Sequence, residues 1–157
     1  MSISLNVNGT PHSFDLQGDV PLIFVLRNDL DCHGAKLGCS LEQCGACVVL
    51  ADGEPVYACT ARIGDLQGKH IETLEGLAAE SGELHPLQQA FLDHNAAQCG
   101  YCLGGILMRS KALLETQPQA GREEICAALD PHLCRCGAHP RIIRAVESAA
   151  ARLRNSP

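Results

Sequence analysis

The chain has 157 residues, enough for one ordinary domain or two small ones, with ten Cys, no Trp, two Tyr and three Phe. A core must therefore rest on aliphatic side chains, and so modest a core commonly needs a metal or disulfide staple. The formal net charge is −6. Basic residues are spread thinly until Arg135, Arg141, Arg144, Arg152 and Arg154, which argues against nucleic acid as a partner.

In chain order, residues 1–75 read as β-rich. Ile3, Leu5 and Val7 alternate with Ser4 and Asn6, the period of a half-buried strand. Asn8-Gly9 is a hairpin turn signal, and Thr10 to Leu16 can return as the second strand. Pro21 opens an apolar stretch, Leu22 to Leu30, that fits a short helix. Cys47 to Leu50 and Val56 to Ala61 flank Ala51-Asp52-Gly53-Glu54 as a second hairpin, and His70 to Leu74 can add a last strand. Hairpin, helix, cysteine loop and hairpin together outline a β-grasp ferredoxin. Glu75 to Glu83 reads as a loose linker. The apolar period then changes to 3.6, with helices expected over Pro86–His94, Leu103–Thr116, Glu123–Leu129 and Arg141–Arg154. Four helices with short connections point to a small four-helix bundle over 76–157, so the expected fold class is α+β.

The N-terminus has neither a basic segment nor a long apolar run, so no secretory signal is read there. No stretch approaches the eighteen or so apolar residues of a membrane helix, and no direct membrane insertion is expected. The expected setting is cytoplasmic and reducing, where cysteines serve metals rather than disulfides. Export alongside a signal-bearing partner is the alternative.

Eight of the cysteines form two sets. Cys39, Cys44, Cys47 and Cys59 have the C-x4-C-x2-C…C spacing of a plant-type [2Fe–2S] ferredoxin. Gly38 and Gly45-Ala46 supply the small residues that a tight loop around a cluster needs. A four-cysteine zinc site would ordinarily use two paired knuckles, and this set has only one C-x2-C. The second set, Cys99-x2-Cys102 and Cys134-x-Cys136, is less specific by spacing, and zinc stays open for it. Its pairs would precede two helices, whose N-termini favour an anionic cluster. Cys126 is expected to be a buried structural thiol in mid-helix, and Cys32 a small buried or loop residue. With four thiols in each set no His is needed as a ligand, and His139 is expected at the surface. No catalytic residue that would transform a substrate is recognisable. Two one-electron sites in one short chain suggest a relay.

GAKLGCSLEQCGAC at 34–47, Cys59, QCGYC at 98–102 and LCRCGAHPRI at 133–142 together resemble the small iron–sulfur subunit of the molybdenum hydroxylases, the xanthine dehydrogenase and aldehyde oxidase family. The resemblance covers nearly the whole chain. It implies a β-grasp domain (1–75) and a four-helix bundle (76–157), each with one [2Fe–2S] cluster. It also implies a partner, the molybdopterin-binding large subunit, which would hold the molybdenum cofactor and perform the hydroxylation. Gln98 matches a residue that contacts the pterin, and Cys136 the ligand whose sulfur approaches it. Electrons would pass from molybdenum to the Cys99/Cys102/Cys134/Cys136 cluster and on to the Cys39/Cys44/Cys47/Cys59 cluster. The acceptor would be a cytochrome, a quinone or a FAD subunit. The chain departs from the family pattern at Ala35, where Thr is common, and at Ser40, where Gly is common.

Overall fold

A computed structural model describes residues 2–78 and 81–155. It is a mixed α/β fold of one five-stranded sheet and five helices. β1 (Ile3–Val7) and β2 (Thr10–Phe14) form the first hairpin, in register from Ile3 opposite Phe14 to Val7 opposite Thr10. Asn8 and Gly9 make its turn, both with positive φ. β3 (Val48–Ala51) and β4 (Glu54–Tyr57) form the second, around Asp52-Gly53. β5 (His70–Glu72) closes the sheet in the order β2-β1-β5-β3-β4, parallel to β1 and antiparallel to β3.

The alternation read in β1 is real: Ile3, Leu5 and Val7 are buried. With Leu22, Ile23, Leu26, Ile63 and Ile71 they form the core on one face of the sheet. The expected helix over 22–30 starts as α1 (Leu22–Phe24) but continues as a wider π turn, Val25–Asp29. That turn places Arg27 so that its guanidinium donates to the carbonyls of His33 and Ala35, at 3.0 and 2.9 Å. Ala35 is itself buried. The strand expected over Val56–Ala61 ends at Tyr57, so Cys59 lies in the turn beyond it. Ile63–Leu66 forms a 3₁₀ turn that no sequence signal marks.

The expected loose connection is partly fixed. Leu74–Gly76 is a 3₁₀ turn, and the Glu75 carboxylate accepts from the Gly34 N–H and the Thr73 hydroxyl, both at 2.6 Å. Positions 79 and 80 of that stretch lie outside the described residues.

The helices are α2 (Pro86–Asp93), α3 (Leu103–Thr116), α4 (Arg122–Leu129) and α5 (His139–Asn155). Leu87, Phe91, Ile106, Ile125, Ile142 and Val146 share a second aliphatic core. Cys126 corrects the sequence reading: it lies on α4 but on its exposed side, while Ile125 and Leu129 turn inward. Cys32 is buried, as expected. No described helix is long and apolar enough to cross a membrane.

A third, smaller core joins the two. Every residue of β3 is buried, because Val49 and Ala51 face the first core while Val48 and Leu50 pack on Met108 and Ala112 of α3. That is why β3 reads as a continuous apolar run rather than an alternation. The first turn of α3 then presses on the cysteine-bearing segments. A Cβ on Gly104 would overlap the Gly34 carbonyl oxygen, and one on Gly105 the Gly45 carbonyl oxygen.

Gly105→Ala should therefore cost about 3 kcal/mol in denaturant unfolding, since neither backbone can yield without moving a cysteine. Lys111 of α3 reaches Glu72 of β5 at 2.8 Å and Glu115 at 2.7 Å. Burial alone would lower its pKa, but the two carboxylates outweigh it and raise it above the ordinary lysine value. Such a raised group stabilises the fold fully below the unfolded lysine pKa, about 10.4, and the contribution is lost as pH rises through the folded value. The stability advantage of wild type over Lys111→Met should accordingly be constant from neutral pH to about pH 10 and shrink above that.

Candidate metal centres

The first cysteine loop, 38–47, is a tight coil rather than a regular element. Ser40, Glu42 and Gly45 have φ of +57°, +58° and +71°, and these left-handed residues wind the backbone round the Cys39 sulfur. The Leu41 and Gln43 N–H groups donate to Cys39 Sγ at 3.3 and 3.2 Å. Burial pushes the Cys39 thiol up, but donors from Leu41, Gln43 and Cys44 outweigh it and bring it down to about 7. Gly38 lies against Cys44, where a Cβ would stand 2.7 Å from Sγ. Cys59 reaches in from the turn after β4 and shares a hydrogen bond with Cys47. Burial, with Cys59 and Cys44 nearby, pushes Cys47 up to about 12, the Cys59 N–H opposing. The Thr60 hydroxyl donates to the Glu42 carboxylate and ties that turn to the loop.

The second set comes from two loops at helix starts. Cys99, Gly100 (φ +83°) and Tyr101 lead to Cys102, the residue that caps α3. Cys134, Arg135, Cys136 and Gly137 (φ +72°) lead into α5. The Tyr101 N–H and then the Cys136 thiol hold Cys99 below the usual thiol range. Cys134 is lowered too: burial raises it, and the N–H groups of Ala138, Cys136 and Gly137 win. Burial and the neighbouring Cys134 push Cys102 up to about 12. Gln98 is exposed, and its amide donates to the Cys136 carbonyl at 3.2 Å. His139 bonds to the His132 carbonyl at 2.9 Å and touches no cysteine by hydrogen bond.

Each set thus assembles as two interacting pairs: Cys39 with Cys44, Cys47 with Cys59, Cys99 with Cys136, and Cys102 with Cys134. Among the described residues no group of three or more His, Cys, Asp or Glu is arranged to hold a single metal ion. Two thiolates at each of two irons is the donor arrangement of a [2Fe–2S] cluster. The charge balance fits as well. In each set one thiol, Cys47 in the first and Cys102 in the second, is pushed up to about 12 by burial and neighbouring sulfurs, so a nearby cationic centre would favour four thiolates together.

Cysteines of both sets, Cys39 and Cys44 of the first and Cys99, Cys102 and Cys134 of the second, line one cleft. A strongly apolar cavity of ≈ 430 Å³ is lined by Gly38, Cys39, Cys44 and Ala46 on one side, and on the other by Cys99, Tyr101 and Cys102 with Leu133, Cys134 and Arg135. The Leu133 N–H donates to the Cys44 carbonyl at 3.0 Å across it. His132 packs beneath, its ring filling the space that a Gly45 side chain would occupy. Burial, then Arg109, lowers its pKa to about 4, so it is neutral at physiological pH. Sequence reasoning misses His132 and Tyr101 as bridging residues, their only signal being nearness in the chain to Cys134 and Cys102.

A family model described as a [2Fe-2S] binding domain matches residues 73–147. A nicotinate dehydrogenase subunit of Pseudomonas putida is 48% identical over 149 residues, 95% of this chain and 94% of that protein. The nicotinate dehydrogenase small FeS subunit of Eubacterium barkeri is 41% identical over 155 residues, 99% of this chain and 98% of that protein. The structure of quinoline 2-oxidoreductase from Pseudomonas putida 86 superposes with TM-score 0.92 at 34% identity, covering 99% of this chain and 97% of that one. The chain belongs to the iron–sulfur small subunits of the molybdenum hydroxylases.

In this small subunit the departure at Ser40 has a physical reading. Its φ of +57° lies where a side chain costs about 1–2 kcal/mol and glycine costs little. Ser40→Gly should raise the unfolding free energy by about 0.5–1 kcal/mol, the relief of strain being partly offset by glycine's greater unfolded-state freedom. Thermal unfolding of the two proteins side by side measures it.

Proposed function

We propose that this chain carries electrons one at a time from the molybdenum cofactor of a large partner subunit to an external acceptor. In this reading Cys39, Cys44, Cys47 and Cys59 hold one [2Fe–2S] cluster, and Cys99, Cys102, Cys134 and Cys136 hold a second. Each supplies a one-electron couple when bound. The chain's own part is to fix the ligands, turn N–H groups toward the sulfurs and keep water away.

The reading rests above all on one cleft lined by Cys39 and Cys44 of the first set and Cys99, Cys102 and Cys134 of the second, since a relay needs two carriers held close together. Division into a β-grasp half, 1–75, and a four-helix half, 76–157, is supported by β5 lying between β1 and β3 and by the separate aliphatic cores. Gln98 and Cys99 are exposed and Cys136 half-buried, so the edge where Gln98 meets Cys136 is open to the partner's molybdopterin. Exit lies on the side of Cys39, whose loop carries the exposed Leu41, toward a cytochrome or a FAD subunit. The relatives named for nicotinate and quinoline support an N-heteroaromatic ring as the compound oxidised by the partner.

Metal analysis of the purified complex should give about four irons and as many acid-labile sulfides per chain. Cys136→Ser should lower the iron to about two, by loss of one two-iron cluster, and abolish substrate-driven reduction of the acceptor. Full iron content with undiminished acceptor reduction in that variant would overturn the electron path.

A further inference from the structure

Tyr101 belongs to both cysteine sets at once. In the chain it stands immediately before Cys102, and its backbone N–H donates to the Cys99 thiol. Its side chain crosses the cleft, where the hydroxyl donates to the Leu37 carbonyl at 2.7 Å. Leu37 precedes Gly38 and Cys39 of the first loop. A phenol–carbonyl bond in open water contributes little, because water competes for both groups. This one lies at the open mouth of the cleft that the Tyr101 ring lines, so its worth is that of one net hydrogen bond and its importance lies in which two loops it joins.

The bond acts on the first set through one peptide plane. In a trans peptide the carbonyl and the following N–H point in opposite directions and turn together. Holding the Leu37 carbonyl therefore fixes the orientation of the Leu37–Gly38 peptide. Gly38 has no slack of its own, since it abuts Cys44 Sγ closely enough to exclude a side chain. Rotation of that peptide would move Gly38 against the Cys44 sulfur or away from it, changing both the packing around the first set and its distance from the second.

We propose that Tyr101 is a positioning residue of the relay, a phenol strut anchored in the second cysteine loop that holds the first loop at its working distance and orientation. The proposal rests on the two-cluster reading above. It assigns to the hydroxyl something that neither set of thiols supplies: registry between them.

Tyr101→Phe keeps the ring and removes only the hydroxyl. In the complex with its large subunit, iron content should be unchanged. Hydrogen exchange at amides of 37–44 should quicken about fivefold, the loss of one net hydrogen bond, while α4 keeps its wild-type rate. On full reduction, the magnetic splitting between the two paramagnetic sites should weaken and the midpoint potential of the first site should shift, that of the second staying put. Unchanged exchange over 37–44 overturns the proposal. So does faster exchange with unchanged splitting and potential, which would make the bond merely structural. Exchange, splitting and potential can all be read on the full chain without its partner, so failure of the variant to assemble still leaves a decisive result. A wild-type complex lacking two reduced-state signals would instead sink the two-cluster reading, an outcome seen before the variant is compared and so distinct from failure of the strut.

Discussion

The close approach of α3 to the two cysteine-bearing segments governs this molecule. Two adjacent glycines in the first turn of the helix, Gly104 and Gly105, lie against the backbone carbonyls of Gly34 and Gly45 with no room for a methyl group on either. Backbone against backbone is the stiffest contact a protein can make, since no side-chain rotamer can absorb a displacement. Cys102 caps this same helix and Gly45 lies between Cys44 and Cys47, so the contact fixes one cysteine set against the other. Around it the Leu133–Cys44 hydrogen bond, the His132 ring and the Tyr101 hydroxyl add further ties.

The same compactness creates an electrostatic demand. Backbone donors hold Cys39, Cys99 and Cys134 below the usual thiol range, whereas burial and neighbouring sulfurs hold Cys47 and Cys102 far above it. A protein that wanted free thiols would have little reason to crowd them so. In the proposed clusters both effects would help, because the donors shield anionic sulfur and the crowding favours a form in which a cationic centre compensates the charge.

Much of this was legible in the sequence because it follows from period and spacing. Ile3, Leu5 and Val7 announce a strand, Asn8-Gly9 and Asp52-Gly53 announce turns, and the span of α3 can be read to the residue from its apolar pattern. The cysteine spacings sort eight thiols into two sets of four. What stayed hidden depends on tertiary neighbours. Val25–Asp29 widens into a π turn to aim Arg27 at the loop carbonyls, and propensity carries no mark of it. Cys126 sits among Ile125, Ala127 and Ala128, so composition suggests burial, yet a rotation of one position along α4 turns it to solvent. The glycines at 104 and 105 look like helix weakeners until the carbonyls they accommodate are seen.

β3 carries a consequence for how the molecule is made. Its outer face, Val48 and Leu50, is covered by Met108 and Ala112 of α3. These emerge from the ribosome after the whole sheet has been synthesised. During that interval the nascent sheet offers an uncovered aliphatic stripe beside four unligated thiols, a combination prone to sticky association and oxidation. Completion of α3 covers the stripe and, through its glycine turn, shuts the cysteine loop into its final shape. Synthesis order thereby leaves the thiols of the first loop open to solvent until the helix locks it.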